Sequence, residues 1–278
     1  MSLKSIIAAA SGESADAELL SVVAELAARF GAHVRVAPAF NDPAGNLVFY
    51  GAALGQGTPD MLARVNASMH QTLEKLQSLA RDVAAQHQLA PSALVVETRA
   101  LQPRDAVASA AVLADLVAFN GAAARSPALA DLFAETLIGM RAPCFIANGG
   151  AYAFGATAIA WDGSAQAGRA VRTALPLLQS AARVVVLQNA DDGGLDPDAA
   201  ALDPLNDYLS RQSVMNVTTR VVRGANVAAS LLGGAREEQC ELLVAGAYGR
   251  PRLYELALGG TTRSLVHAEN APHLLLVH

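Results

Sequence analysis

"SIIAAASGESADAELLSVVAELAARFGAHVRVAPA" occupies residues 5–39, and "ATAIAWDGSAQAGRAVRTALPLLQSAARVVVLQNA" occupies residues 156–190. Laid one on the other without a gap, they set Gly12 on Gly163 and Val34-Arg35-Val36 on Val185-Val186-Leu187. Each copy is an apolar run, a small Gly/Ser turn, an amphipathic stretch and a second apolar run. In the first stretch Leu19, Val23, Leu26 and Phe30 share one helical face; in the second Ala167, Val171, Leu175 and Leu178 do the same. The pattern is strand, helix, strand, written twice.

The match extends to the ends of both halves. "DLVAF" (115–119) corresponds to "ELLVAG" (241–246), and "APCFIAN" (142–148) to "APHLLLVH" (271–278). The first half is the longer one, mainly around 40–92, where Leu62, Val65, Met69, Leu73, Leu76, Ala80 and Val83 recur three and four apart and mark a long helix. The apolar runs place strands at 4–10, 33–38, 93–99, 114–119 and 143–147, then at 156–161, 183–188, 216–222, 241–246 and 273–277. Nearly continuous apolar strands alternating with helices mean parallel sheets covered on both faces. The expected fold is α/β: two tandem doubly wound domains, 1–150 and 153–278, each a five-stranded parallel sheet with helices on both faces. Their junction is the turn-rich "NGGAYAFG" (148–155).

Composition narrows the function. The 278 residues are 53% hydrophobic and 16% charged, enough for a sizeable core, and no apolar run is long enough to span a bilayer. The N-terminal "MSLKSIIAAASGES" reads as a buried strand rather than a secretion signal, so the expectation is a cytoplasmic protein without a membrane partner. A net charge of −5, with Lys4 and Lys75 the only lysines, argues against a nucleic-acid partner. Cys144 and Cys240 each sit beside apolar residues in strands and read as buried reduced thiols.

In a doubly wound sheet, ligands bind beyond the carboxyl ends of the strands, where the strand order reverses. In the second half "AWDGS" brings Asp162, Gly163 and Ser164 to that rim, and the fourth strand runs out at Gly246 into "GAYGRPRLYELALGGTT" (246–262). A glycine pair, Gly259-Gly260, then precedes a helix beginning at Thr261 or Thr262. Such a start bares main-chain N–H groups at the positive end of the helix dipole, which suits a phosphate. Taken singly, each of these residues serves equally well as a turn or cap; the convergence of three stretches on one rim favours a ligand.

Gly246-x2-Gly249-x9-Gly259, placed after an apolar strand and before a short helix and a final strand led by Ala-Pro, resembles the nucleotide-binding signature of the universal stress protein family, and Asp162 resembles the acid that closes that family's first strand. The resemblance runs through both halves. It implies ATP, with or without Mg²⁺, in the C-terminal domain. Asp162 would meet the nucleoside end, Gly246 and Gly249 would pass close to ribose and phosphate, and Gly259, Gly260, Thr261 and Thr262 would donate to the phosphates. Val186 on the second strand would pack against adenine. It further implies that the final strands of the two domains meet antiparallel as an intramolecular pseudo-twofold pair, with homodimerisation of the whole chain left open.

The sequence departs from that signature in places. Gly260 stands where the family has a hydroxyl residue, leaving Thr262 to supply it, and Ala247-Tyr248 replaces a more polar stretch, with Arg250 and Arg252 following. The N-terminal half has Ser11 where the acid belongs, and after its fourth strand it keeps Gly121 but no Gly-x2-Gly and no Gly-Ser/Thr pair, so it is not expected to hold ATP in the same way. No Gly-Lys-Ser/Thr, dinucleotide fingerprint, Gly-x-Ser-x-Gly elbow or paired metal-ligand histidine spacing is present. No general base is placed for phosphoryl transfer, so no catalytic residue is assigned and at most slow hydrolysis is expected. The readings are a nucleotide-binding stress regulator with unidentified protein partners, a scaffold without useful ATP affinity, and, with least support, an α/β nucleotide enzyme.

Overall fold

The computed structural model describes residues 2–39, 59–97, 103–190, 202–247 and 260–278. The N-terminal half runs β1 (Ser5–Ala10), α1 (Asp16–Phe30), β2 (His33–Pro38), α2 (Pro59–Gln86), β3 (Leu94–Val96), α3 (Pro103–Ala111) and β4 (Leu116–Asn120), then two short helices, α4 (Gly121–Arg125) and α5 (Pro127–Ala134), a π-helical turn (Glu135–Gly139) and β5 (Cys144–Ala147). The C-terminal half runs β6 (Ala156–Ala160), α6 (Ala165–Ser180), β7 (Arg183–Asn189), α7 (Asp203–Arg211), β8 (Val217–Val222), α8 (Val227–Glu237), β9 (Cys240–Gly246), α9 (Gly260–His267) and β10 (His273–Val277). All ten expected strands form. The largest difference is β3, three residues long where the sequence reads seven; Ala93 and Glu97 flank the strand and 98–99 lie outside the described residues.

The strands join in one ten-stranded sheet of order β3-β2-β1-β4-β5-β10-β9-β6-β7-β8. Every pairing is parallel except the central one, where β5 and β10 run antiparallel through Leu274↔Ile146, Leu275↔Phe145 and Leu276↔Cys144. The matching tails of the two halves therefore meet as the resemblance implies. The sequence period of two sends alternate strand residues to opposite faces. One face packs with α1, α2, α6 and α7, the other with α3, α4, α5, α8 and α9. Both cores continue across the seam, and Phe145, Ile146, Leu274, Leu275 and Leu276 are at most 1% exposed.

The junction between the halves is tied down. Gly149 and Gly150, at φ 66° and 77°, turn the chain out of β5 in a conformation that disfavours side chains. The Asn148 N–H then donates to His273 Nδ1 at 3.1 Å, Tyr152 N–H to Glu25 Oε2 at 2.7 Å, and the Ala153 and Gly155 N–H groups to Glu241 Oε2 at 3.0 Å each. The Tyr152 ring is buried beside Phe145, Phe154 and His273. Every one of these hydrogen bonds except that to Glu25 joins the linker to an element of the C-terminal half. Cys144 and Cys240 are free buried thiols, as the sequence suggests; burial pushes the Cys240 thiol up to about 11 and that of Cys144 further still.

Candidate functional site

Strand direction sets the site. β6 lies between β9 and β7. The chain leaves β6 through α6 on one face of the sheet, and leaves β9 through α9 on the other. Opposite departures from neighbouring strands open a crevice at their carboxyl ends. Because β9 and β10 are parallel, α9 runs back between them, so its first turn stands at that same end.

Three stretches converge there. After β6, Trp161 N–H donates to the Leu187 carbonyl at 2.9 Å, Asp162 follows exposed, and Gly163 turns the chain at φ 71°. Asp162 Oδ1 accepts the Ser164 N–H at 2.9 Å, and Ser164 caps α6 by accepting the Ala167 N–H at 3.1 Å. At the end of β9, Gly246 is pressed against that turn: a Cβ there would lie 2.6 Å from the Ala167 nitrogen and 2.7 Å from the Gln166 carbonyl carbon. The sequence reads this glycine as making room for a ligand. The geometry gives it a packing reason, the close approach of α6. Beyond it, Ala247 N–H donates to the Val277 carbonyl at 2.8 Å and the Ala247 carbonyl accepts from His278 Nδ1–H at 3.1 Å, while Arg169 Nε donates to the His278 carbonyl at 3.0 Å. The root of the glycine loop is therefore fixed to the sheet.

The third stretch is α9. It starts at Gly260, one or two residues before the sequence reading, so Thr261 and Thr262 lie inside the first turn, where main-chain N–H groups have no helical acceptor. A Cβ on Gly260 would meet nothing within 4 Å. Thr261 is exposed, whereas Thr262 is 5% exposed and turned inward with Leu265 and Val266. The surface hydroxyl of this turn is thus that of Thr261, not the Thr262 hydroxyl that the sequence singles out. Val186 is wholly buried in the core beneath α6 and α7, with no exposed surface. Tyr248, Gly249, Arg250, Arg252 and Gly259 lie outside the described residues.

The corresponding end of the N-terminal half is built differently. The repeat sets Ser11 on Asp162 and Asp16 on Ala167, and strand register sets Asn120 on Gly246. Asp16, only 1% exposed, accepts the Ser11 N–H (2.9 Å) and Ser11 hydroxyl (2.9 Å) on Oδ1 and the Gly12 N–H (2.7 Å) on Oδ2. Asn120 Nδ2 donates to Asp16 Oδ1 at 3.2 Å and to Ser11 Oγ at 3.3 Å. The turn amides at this end of the half are satisfied by its own carboxylate. The sequence reading stops at Ser11 and misses Asp16 and Asn120. Their signal is in the alignment, where two polar residues fall on the small pair Ala167 and Gly246.

A family model described as the universal stress protein family matches residues 157–276. Among solved structures, a universal stress protein from Archaeoglobus fulgidus DSM 4304 is similar over 99% of this chain and 96% of its own, at 14% identity and TM-score 0.71. A functionally unknown protein from Pseudomonas aeruginosa PAO1 is similar over 99% and 92%, at 12% identity and TM-score 0.57. A universal stress protein in complex with cAMP covers 44% of this chain and 96% of its own, at 23% identity and TM-score 0.37. No curated protein matches the chain. The family match thus lies in the C-terminal half of this α/β chain, and the likeness to the Archaeoglobus structure over nearly the whole chain extends the fold to both halves.

Proposed function

We propose that the chain is a stress-associated regulatory protein whose C-terminal domain (153–278) holds ATP, with or without Mg²⁺, and catalyses little or nothing. The N-terminal domain (1–150) is a degenerate copy of the same unit that does not take ATP. The observation that carries this reading is the convergence of an exposed carboxylate, Asp162, and the open first turn of α9 on one crossover of the sheet. A carboxylate facing ribose or base and free amides facing phosphates divide a nucleotide between them by charge. By the resemblance, Gly249 and Gly259 would complete the cradle. The partners are an adenine nucleotide and proteins that respond to its presence, in the cytoplasm; among the described residues no helix is long and apolar enough to cross a membrane.

The test is direct. Denaturing the purified protein and chromatographing what it releases should yield adenine nucleotide, and the emptied protein should bind added ATP. Asp162→Ala should weaken that binding and Gly259→Val should abolish it. A second reading, a scaffold without useful ATP affinity, draws on the packing role of Gly246 and on the turn bond of Asp162, which give both residues structural work. It wins if nothing is released and no heat of binding appears.

A further inference from the structure

β8 is the last strand of the sheet, so one of its two edges has no neighbouring strand among the described residues. The ladder to β7 fixes which groups that edge carries. The Val184 N–H donates to the Asn216 carbonyl, and the Ala190 N–H donates to the Val222 carbonyl. The even-numbered residues of β8 therefore turn their main-chain groups toward β7, and Val217, Thr219 and Val221 turn theirs outward.

Unpaired edges invite other strands, and folded chains usually blunt them. The edge at the far side of the sheet is blunted by length, since β3 has only three residues. β8 has six, pairs with β7 without a bulge and contains no proline. Every residue in it except Arg220 is β-branched, the composition that suits a strand. Thr218 and Thr219 are exposed, and Val221 is 44% exposed. Arg220, the one charge, is tied back to its own chain. Its Nη1 donates to Glu238 Oε1 at 2.7 Å and its Nη2 to Glu237, while Arg183 Nη1 donates to Glu238 Oε2 at 2.6 Å. Two arginines thus meet two glutamates beside the edge and leave no net charge there.

We propose that this edge is a homodimer interface, with β8 pairing antiparallel to β8 of a second copy about a two-fold axis at Thr219. An antiparallel pair sets outward-facing residues of its two strands against each other, and these exchange both main-chain bonds. Three registers allow that here. Centring on Arg220 sets two like charges face to face, which destabilises a pair. Centring on Thr218 overlaps only Val217–Thr219 of the two strands. Centring on Thr219 overlaps Val217–Val221, with Val217 against the partner's Val221, Thr219 against the partner's Thr219, and Arg220 against the partner's uncharged Thr218. The period of two puts Val217, Thr219 and Val221 on one face, the face on which Val217 packs against the core beneath α7. The exposed Val221 gains an apolar neighbour there. Each contact occurs twice, as a two-fold interface requires.

Sedimentation velocity of the full-length protein over a concentration series tests this, with circular dichroism to confirm that each variant is folded. Wild type should form dimers as concentration rises. Thr219→Pro removes an outward N–H and spares the bonds to β7, and should be monomeric. Thr219→Lys, a change at an exposed side chain, sets two ammonium groups against each other at the axis and should also be monomeric, so it decides the matter should the proline variant fail to fold. Thr218→Lys faces the partner's Arg220 and should weaken the dimer about tenfold. A wild type that stays monomeric at every concentration overturns the inference, and so does a dimer that Thr219→Lys leaves intact. A Thr218→Lys dimer as tight as wild type overturns the register centred on Thr219.

Discussion

At the carboxyl end of β1 the chain closes on itself; at the carboxyl end of β6 no buried acid among the described residues does the same. The two ends share a turn, with Gly12 at φ 80° and Gly163 at φ 71°. They differ at three matched positions: Ser11, Asp16 and Asn120 in one half, and Asp162, Ala167 and Gly246 in the other. Where the acid sits on the helix it is buried and takes up the turn amides itself. Where it sits at the strand end it is exposed, and the helix and the next strand press together through alanine and glycine. The backbone plan is common to both, and a few side chains decide whether a crossover is closed by its own buried acid or carries that acid at the surface.

The strongest way to break this comparison is to remove the internal anion. Asp16→Ala leaves the buried amides of Ser11 and Gly12 and the Asn120 carboxamide without their acceptor, and should cost about 4 kcal/mol of stability in urea unfolding. A loss as small as that of a surface substitution would mean the network is not a closure.

The next effect tests a second matched pair. Ala-Pro precedes Cys144 at the start of β5 and His273 at the start of β10. Burial holds His273 neutral and pushes its pKa down to about 4, from the usual 6.5, with its bond to the Ala151 backbone opposing that shift. In the window between those values the unfolded chain binds the extra proton, so the native state loses stability as pH falls. The contribution is full above about pH 6.5 and lost progressively toward pH 4, on the order of 3 kcal/mol in all. His273→Gln should flatten the acid limb of a stability–pH curve, and Cys144→Ser should not.

Gly246→Asn copies the N-terminal residue into the C-terminal crevice. Its Cβ would be 2.6 Å from backbone, so about 2 kcal/mol should be lost along with ATP binding. The smallest effect on stability is that of Asp162→Ala, about 0.5 kcal/mol or less, because the side chain is exposed and makes one turn bond. Set beside Asp16→Ala, that disparity is itself the sharpest statement of how the two acids differ.

The strands were legible because each is a short apolar run bounded by turn residues, and the repeat made each half a check on the other. Gly12 and Gly163 were legible as turns for the same reason. What the pattern could not carry was contact between segments distant in sequence. Gly246 reads as room for a ligand, yet its tight neighbours are Gln166 and Ala167, brought there by the β6–β9 pairing. Asp16 and Asn120 drew no reading from the sequence, because they meet across 104 residues of chain. Thr262 reads as a hydroxyl donor, but starting α9 at Gly260 turns it inward. Val186, which the resemblance sets against adenine, is wholly buried. Residues 248–259, with Gly249 and Gly259, lie outside the described residues, so these two glycines stand as expectations of the resemblance.

The most direct measurement is the number of ATP molecules that one nucleotide-free chain takes up in a calorimetric titration. An open crossover in one half and a self-satisfied one in the other predict a single site, lost on Gly259→Val and untouched by Ser11→Ala. Uptake of two molecules, or of none, would contradict the account.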